Sequence, residues 1–214
     1  MSVAAIVVAG GRGVRFGGTK QFYDLGDETV AARAVRLARS VAGHVVLVVP
    51  EDYLGTNHGA DSVVAGGDTR AASVRAGLEV LPPVDVVVVH DAARPLASAD
   101  LFAAVVAEIE AGADAAIPAL KVSDTVKRVV SREGRCVVTE TLDRSDLVTV
   151  QTPQAFRRQV LERAHASLSD ATDDAALVEA VGGTVVIIPG EYSNLKITEP
   201  HDLVRVATAL KGNA

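Results

Sequence analysis

The chain has 214 residues, 49% of them hydrophobic and 3% aromatic, and a formal net charge of −6. This length fits one α/β domain with a core of small side chains, and the negative charge argues against nonspecific binding to nucleic acid or anionic membranes. The single cysteine, Cys136, excludes an intrachain disulfide. Because no apolar run approaches about 18 residues, and no basic segment precedes the first strand, we expect a cytoplasmic protein without a membrane span or signal peptide.

The first predicted element is a buried strand that runs into a basic, glycine-rich turn. Residues 3–9 are small or β-branched, a pattern typical of a strand buried on both faces. The turn that follows contains Gly10, Gly11 and Gly13, with Arg15 and Lys20 close behind. Glycines let backbone N–H groups approach phosphate oxygens, and the two cations add charge. The turn fits neither the Rossmann fingerprint nor the Walker A motif, and a turn with two solvated charges is the alternative.

Strands and helices then alternate, which predicts a doubly wound, mostly parallel sheet. The predicted strands are 45–49, 62–65, 84–89, 113–120 and 184–188, and the predicted helices are 29–41, 69–81, 99–111, 153–168, 172–181 and 200–210. Asp68, Ser98 and Thr172 are the predicted N-caps of their helices. No linker or repeat divides the chain, so we expect a single domain over residues 1–214.

Residues 122–150 interrupt this alternation. Two strands, 124–130 and 136–141, are joined by the turn 131–135 with no helix between them. A two-stranded ribbon is marginal in water by itself, so it must lie on another surface. We expect that surface to be a second copy of the chain. An antiparallel edge of the same sheet is the alternative that the residues leave open.

The turns after the first, third and fourth strands are predicted to converge, because carboxyl ends of parallel strands share one edge of a sheet. After the third strand, Gly67 and Ser73 would face a nucleotide base. The alternative is a helix cap, formed by Asp68, with an exposed Arg70. The pair Asp173-Asp174 is interpreted as a helix N-terminus favoured by the helix dipole.

The fourth strand ends in His90-Asp91, after four valines. A carboxylate at the end of a buried strand must be paired or bound to a metal. Asp91 would hold Mg²⁺ or pair with Arg94, and the residues favour neither. His90 is interpreted as a hydrogen-bonded strand-end residue without a chemical role. Two further cations, Arg144 and Lys196, are either phosphate ligands or surface charges.

Several motifs occur in an order that resembles the 2-C-methyl-D-erythritol 4-phosphate cytidylyltransferases, the CTP-using enzymes of the non-mevalonate isoprenoid pathway. The basic turn resembles the nucleotidyltransferase signature G-x-G-x-R followed by P-K, with Thr19 in place of the proline. The other motifs are Gly66-Gly67-Asp68-Thr69-Arg70-Ala71-Ala72-Ser73, His90-Asp91-Ala92-Ala93-Arg94-Pro95, Ser123-Asp124-Thr125-Val126-Lys127, Gln151-Thr152-Pro153-Gln154, Thr172-Asp173-Asp174-Ala175 and Asn194-Leu195-Lys196-Ile197-Thr198.

Ribitol-5-phosphate cytidylyltransferases look much alike. Ala9-Gly10-Gly11 and the segment 190–194 are closer to that branch, whereas Ala92-Ala93 and the segment 172–175 favour the methylerythritol branch. The acceptor alcohol therefore stays open between these two polyol phosphates.

The resemblance implies a Rossmann-like nucleotidyltransferase fold with a protruding β-ribbon, and attack of an acceptor phosphate on the α-phosphorus of CTP, with Mg²⁺ as cofactor. It also implies a homodimer in which 122–150 is the dimerisation arm, so that Thr125 and Arg144 act in the neighbour's site. The implied catalytic residues are Arg15, Lys20, Arg144 and Lys196. The implied nucleotide ligands are Ala9, Gly10, Gly11, Gly13, Gly67, Asp68, Ser73, Asp91 and Ala92. The implied acceptor-phosphate ligands are Arg94, Thr125, Arg144 and Lys196, and Asp91 is the implied metal ligand.

Two other classes of function are considered. A glycosyltransferase of similar architecture would need an Asp-x-Asp metal motif, and the sequence contains none. A nucleotide-sensing module without catalysis would need no acceptor site, so Arg144 and Lys196 would be dispensable.

Overall fold

A computed structural model describes residues 1–11, 16, 18–166 and 170–212. The strands in these residues are β1 (Val3–Val8), β2 (His44–Val49), β3 (Ser62–Ala65), β4 (Val86–Asp91), β5 (Ala115–Lys121), β6 (Val126–Arg132), β7 (Arg135–Leu142), β8 (Val148–Val150), β9 (Gln154–Arg157) and β10 (Val185–Pro189). The α-helices are α1 (Val30–Ala38), α2 (Arg70–Val80), α3 (Ala99–Glu110), α4 (Arg158–His165), α5 (Asp174–Ala180) and α6 (Pro200–Gly212).

Eight strands form one sheet. Seven of them follow the order β10-β5-β9-β4-β1-β2-β3, and the eighth, β8, pairs with residues 119–121 of β5, after the stretch of β5 that pairs with β9. The pairs β1–β2, β1–β4, β2–β3 and β5–β10 are parallel. The short strands β8 and β9 are antiparallel to their neighbours. The predicted α/β class, with a mostly parallel sheet, is confirmed.

The apolar strands are buried because helices cover both faces of the sheet. In β2, Val45, Leu47 and Val49 point to one face, where α1 and α3 pack. Val46 and Val48 point to the other face, against residues of α2, α4 and α5. This alternation follows from the two-residue period of a strand, and it explains why β2 is apolar throughout.

A third apolar cluster ties α6 to the glycine-rich turn. Val206 of α6 packs with Phe16, Val30 and Ile197, and Val206 and Ile197 are fully buried. The C-terminal helix therefore covers the segment that carries Lys196. Of the helices in the described residues, none is both long enough and apolar enough to cross a membrane.

Two of the three predicted helix caps are wrong by one residue. Ser98 caps α3, as predicted, and its side chain accepts a hydrogen bond from the backbone N–H of Leu101. Thr69, not Asp68, caps α2, and its Oγ1 accepts a hydrogen bond from the backbone N–H of Ala72. Asp68 is one residue too early in the chain for its carboxylate to occupy the N-cap position. Asp173, not Thr172, caps α5 and accepts from Ala176.

The predicted helix 153–168 is also wrong over its first turn. Gln154–Arg157 is strand β9, inserted between β4 and β5, and α4 starts only at Arg158. Ala155 and Phe156 of β9 are fully buried, so filling the gap in the sheet outweighs local helical preference. Leu168, the predicted helix end, lies outside the described residues.

The ribbon does not extend the main sheet. Strands β6 and β7 pair only with each other in the described structure, so the sheet-edge alternative is wrong. The valine pairs Val129↔Val138 and Val130↔Val137 lie across this ribbon and are 37–55% exposed. The ribbon therefore presents apolar side chains to its surroundings.

Candidate active site

The turns after β1 and β3 are packed against each other. The Oγ of Ser73, in the first turn of α2, donates a hydrogen bond to the carbonyl of Thr69 at 3.0 Å. A Cβ on Gly66 would lie 2.8 Å from the Oγ of Ser73 and 3.4 Å from the Cα of Gly10. Only glycine lets the two backbones and the serine hydroxyl approach so closely. The predicted convergence of these turns is confirmed.

Gln21 anchors the glycine-rich turn through its side-chain amide. Its buried side-chain amide donates to the carbonyls of Ala9 at 2.6 Å and Gly11 at 2.9 Å. The neighbouring Lys20 donates from Nζ to the carbonyl of Ile197, next to Lys196. The turn after β1 is thereby tied to the segment after β10. Arg15 and Gly13, two of the predicted ligands, lie outside the described residues.

Asp91, at the end of β4, is surrounded by cations. Its Oδ1 accepts from Nε of Arg70 at 3.1 Å, and its Oδ2 accepts from Nζ of Lys196 at 2.7 Å. Burial opposes the charge of this carboxylate, but Arg70 and Lys196 outweigh it and hold the pKa of Asp91 well below its usual range. Asp91 is therefore ionised at neutral pH.

Arg70 connects this cluster to α5. Its Nη1 donates to Oδ2 of Asp174 at 2.6 Å, and Asp174 is fully buried. Burial lowers the pKa of Arg70, but Asp91 and Asp174 outweigh this effect, so the pKa of the guanidinium lies above its usual value. The interpretation of Arg70 as an exposed arginine is wrong, because two carboxylates 83 residues apart in sequence both bind it.

His90 is a structural residue, as predicted. Its Nε2 lies 3.2 Å from the carbonyl of Arg94, and its Nδ1 lies 3.2 Å from the hydroxyl of Thr152. A carbonyl only accepts hydrogen bonds, so the imidazole carries its proton on Nε2. Burial lowers the pKa of His90 to about 4. The side chain is neutral at pH 7 and offers no catalytic proton.

Arg94 does not form the ion pair that was weighed for Asp91. Its Nη1 donates to the carbonyl of Asn194 at 2.8 Å and its Nη2 to that of Val150 at 3.3 Å. Arg94 thus links the segment before β9, at Val150, to the segment that carries Lys196, at Asn194. The correct partners of Asp91 are Arg70 and Lys196, which are 21 and 105 residues away in sequence.

These charged residues line a cavity of about 360 Å³. Arg70, Asp91, Arg94 and Lys196 all contribute to its wall. Nη2 of Arg70 and Nε of Arg94 are buried without a hydrogen-bond partner in the part of the chain that is described. Asp173 and Glu179 also line the wall, so three cations face three carboxylates. The two guanidinium donors that lack a partner are the feature that suits an anionic ligand.

Thr125 and Arg144 lie apart from this cluster, at the base of the ribbon. Both are exposed, and Arg144 donates from Nη1 to the carbonyl of Ser123, which links the two ends of the ribbon. Neither residue makes a hydrogen bond or ion pair with Asp91 or Lys196 within the described chain. The structure of one chain does not bring them to the Asp91 cluster.

Comparison with known proteins identifies the family. The model of the family described as 2-C-methyl-D-erythritol 4-phosphate cytidylyltransferase matches residues 3–211. The chain belongs to this family. The family resemblance seen in the motifs is therefore confirmed, and so is the nucleotidyltransferase class.

Relatives and solved structures agree with this assignment. The 2-C-methyl-D-erythritol 4-phosphate cytidylyltransferase of Rhodococcus jostii is 46% identical over 94% of this chain and 92% of that protein. The crystal structure of 2-C-methyl-D-erythritol 4-phosphate cytidylyltransferase from Thermus thermophilus is 35% identical, with a TM-score of 0.81 over 98% of both chains. The Bifunctional enzyme IspD/IspF of Anaeromyxobacter sp. is 46% identical over 98% of this chain. The chain spans 57% of that bifunctional relative's length.

Within this family framework, the structure brings predicted site residues together in two pairs, Gly10 with Ser73 and Asp91 with Lys196. Gly67 and Asp68 lie in the turn after β3, with Asp68 exposed, and Ala92 is buried beside β1.

Gln21, Thr152 and Asp174 have roles that the sequence reasoning missed. Thr152 accepts from the backbone N–H of Asp91 at 3.0 Å and so fixes the end of β4. All three lie beside or within motifs that carry the family resemblance. Position within a motif was the only available signal, because their partners are distant in sequence.

Proposed function

We propose that this chain condenses CTP with 2-C-methyl-D-erythritol 4-phosphate, giving a CDP-alcohol and pyrophosphate. The observation that carries the proposal is the cluster of Arg70, Asp91, Arg94 and Lys196 around a cavity at the carboxyl edge of the sheet. The cluster adjoins a glycine-rich turn in a chain that matches the family over residues 3–211.

The chemistry needs no protein nucleophile. An oxygen of the acceptor phosphate attacks the α-phosphorus of CTP, the bond to the β-phosphate oxygen breaks, and pyrophosphate leaves with that electron pair. Two anions must be held in line while negative charge is redistributed, so catalysis consists of positioning and electrostatic stabilisation. A site rich in arginine and lysine, with a neutral histidine, suits this task.

The two ends of the reaction are assigned to different cations. We assign Arg15 and Lys20 to the α-phosphate and the departing pyrophosphate, and Lys196 and Arg94 to the acceptor phosphate. The hydrogen bond from Lys20 to the carbonyl of Ile197 supports this division, because it places the Lys20 side chain beside the Lys196 segment. The two groups of cations would thus belong to one shared site.

The nucleotide is assigned to the packed turns after β1, β3 and β4. The base would lie against the turn 9–13 and against Gly67, Asp68 and Ser73, and the ribose against Asp91 and Ala92. The close packing of Gly10, Gly66 and Ser73 supports a preformed wall for a flat ligand. The exposed carboxylate of Asp68 is available to an amino group.

The described residues do not provide a complete site for Mg²⁺. No group of three His, Cys, Asp or Glu side chains converges in the described ranges. Both oxygens of Asp91, the predicted ligand, already accept from Arg70 and Lys196. We therefore propose that Mg²⁺ is held chiefly by oxygens of the triphosphate, since this ion commonly binds through substrate phosphates and few carboxylates. When bound, it would neutralise phosphate charge.

We further propose that residues 122–150 form a dimerisation arm of a single domain covering residues 1–214. The half-exposed valines of β6 and β7 support a partner for the ribbon, because such a ribbon is marginal alone. The separation of Thr125 and Arg144 from the Asp91 cluster supports their action in the neighbouring subunit's site. A cytoplasmic location stays a prediction from the sequence.

The test is pyrophosphate release by the purified protein with CTP and Mg²⁺, comparing 2-C-methyl-D-erythritol 4-phosphate with ribitol 5-phosphate. We expect release with the methylerythritol phosphate and little with the ribitol phosphate. Release with ribitol 5-phosphate alone would keep the mechanism and change the acceptor. Release with neither acceptor, together with CTP binding in a titration, would favour a nucleotide-binding module.

A further inference from the structure

Four charged side chains from four parts of the chain alternate in sign and touch in series. Asp174 of α5 binds Arg70 of α2 at 2.6 Å, Arg70 binds Asp91 of β4 at 3.1 Å, and Asp91 binds Lys196 at 2.7 Å. We define these four residues as the charge relay. It leads from the interior between α4 and α5 to the exposed end at Lys196, whose side chain is 42% exposed.

We propose that Asp174 is a positioning residue that acts through Arg70 and Asp91 to hold the ammonium group of Lys196 in place for the acceptor phosphate. The inference rests on the proposed function, because it takes Lys196 as an acceptor-phosphate ligand. Asp174 itself is fully buried and is connected to Lys196 only through three successive ion pairs, so it touches no substrate.

The geometry of Arg70 explains how the influence would be transmitted. Its planar guanidinium is divided between two carboxylates, with Nη1 on Asp174 and Nε on Asp91. This division leaves Oδ2 of Asp91 for Lys196. Without the charge on Asp174, Arg70 would turn its fork to both oxygens of Asp91, since a bidentate pair with a carboxylate is favourable. Lys196 would then have to share Oδ2 with a second N–H of Arg70, and the competition would displace its ammonium group.

Asp174 is itself held in place on its other side. Its Oδ1 lies 3.0 Å from Nε2 of His165, a buried residue of α4. The carboxylate is thus fixed between α4 and α2, which gives the relay a rigid inner end. Burying a carboxylate and a guanidinium is costly unless both are paired, so the arrangement is maintained only as a connected set.

The decisive experiment is a double-mutant cycle on activity. We expect Asp174→Asn to lower kcat/KM for the acceptor by about 10- to 100-fold, the range seen when a residue that orients a metal-binding side chain is removed. KM for CTP should change by less than about twofold. In the Lys196→Ala background, Asp174→Asn should cause less than about a twofold further loss, because the relay then has no outer end.

Asp61→Asn serves as the matched control. Like Asp174, Asp61 accepts from an arginine, Arg39, and it also accepts from the backbone N–H of Val45. It lies at the amino ends of the strands, away from the candidate site. This variant should lose stability without losing activity at a temperature where it is folded. Equal activity losses from Asp61→Asn and Asp174→Asn at equal stability would overturn the relay and leave a purely structural role for Asp174.

Two outcomes separate the relay from the proposed function. If Lys196→Ala leaves acceptor use unchanged, the assignment of Lys196 is wrong. If Lys196→Ala impairs acceptor use but Asp174→Asn is harmless, or equally harmful in both backgrounds, the relay is wrong. Should Asp174→Asn fail to fold, Arg70→Lys tests the relay from its middle, because one ammonium nitrogen replaces the two separate nitrogens, Nε and Nη1, that serve the two carboxylates. We expect Arg70→Lys to lower kcat/KM for the acceptor, and to cause little further loss when it is combined with Lys196→Ala.

A crystal structure of the Asp174→Asn or Arg70→Lys variant gives a readout that does not depend on activity. In Asp174→Asn, we expect Arg70 to donate to both oxygens of Asp91 and Lys196 to lie beyond hydrogen-bond distance of Oδ2. In Arg70→Lys, we expect Lys196 to shift relative to Asp91. An unchanged contact between Lys196 and Asp91 in both variants would refute the relay.

Discussion

The contact between the first and third turns makes Gly66→Ala a quantitative test of the site architecture. The new Cβ would lie 2.8 Å from Oγ of Ser73 and 3.3 Å from Cγ1 of Val48, and both neighbours are buried. Overpacking of this kind costs about 1–3 kcal/mol. At about 2–4 °C per kcal/mol for a chain of this size, the melting temperature should fall by roughly 2–12 °C.

The Ser73→Ala variant separates overpacking from other causes. Alone, it removes the hydrogen bond to the carbonyl of Thr69 and should cost about 0.5–1.5 kcal/mol. Combined with Gly66→Ala, it removes the atom that the new methyl group meets first. We therefore expect the double variant to be more stable than the sum of the single effects predicts, by about 1 kcal/mol or more.

Chemical denaturation at fixed protein concentration measures this coupling. Gly55→Ala is the control, because a Cβ there meets no described atom within 4 Å, and its stability should change by less than about 1 kcal/mol. The turns also form the proposed base-binding wall, so Gly66→Ala should raise KM for CTP more than it lowers kcat. Additivity of the two single effects within about 0.5 kcal/mol would refute the packing argument.

Further predictions concern the cations and the buried histidine. Lys20→Ala should lower kcat by about 10²–10³-fold, the cost of losing one preorganised donor; an unchanged kcat in a folded variant would remove Lys20 from the mechanism. Arg144→Ala should raise KM for the acceptor and leave CTP binding intact, and steady-state kinetics with each substrate varied would show the reverse if the assignment is wrong. Because burial lowers the pKa of His90 from 6.5 to about 4, the unfolded chain binds the extra proton first as the pH falls. The stability of wild type should therefore decrease between pH 6.5 and pH 4, with about 2 kcal/mol lost to His90 by pH 5. His90→Gln should be less acid-sensitive in urea titrations at pH 7 and pH 5, and identical pH slopes would contradict the burial argument.

The edge of the sheet that carries the candidate site was predictable because topology alone determines it. Once strands and helices alternate, the turns after β1, β3 and β4 must meet at the carboxyl edge. Their meeting is seen in the contact of Gly10 with Ser73 and of Arg70 with Asp91. The residue types that bind phosphate were recognisable there for the same reason.

The partners of individual charges were not predictable from the sequence. Arg94, three residues from Asp91, was the natural candidate, but β4 ends so that Arg94 reaches the carbonyls of Val150 and Asn194 instead. Likewise, nothing in the residues 154–157 marks a strand. Their conformation is decided by an empty place between β4 and β5, which is a property of the whole sheet.

That place in the sheet has a consequence for the order in which the chain folds. The strands β4 and β5 are not paired with each other, and β9 joins them. A nascent chain that ends before Gln154 can assemble β3-β2-β1-β4, but β5 has no partner linking it to that half. The ribbon of β6 and β7 must therefore be synthesised before the sheet becomes continuous. Until β9 is available, one edge of β4 in the β3-β2-β1-β4 half stays unpaired.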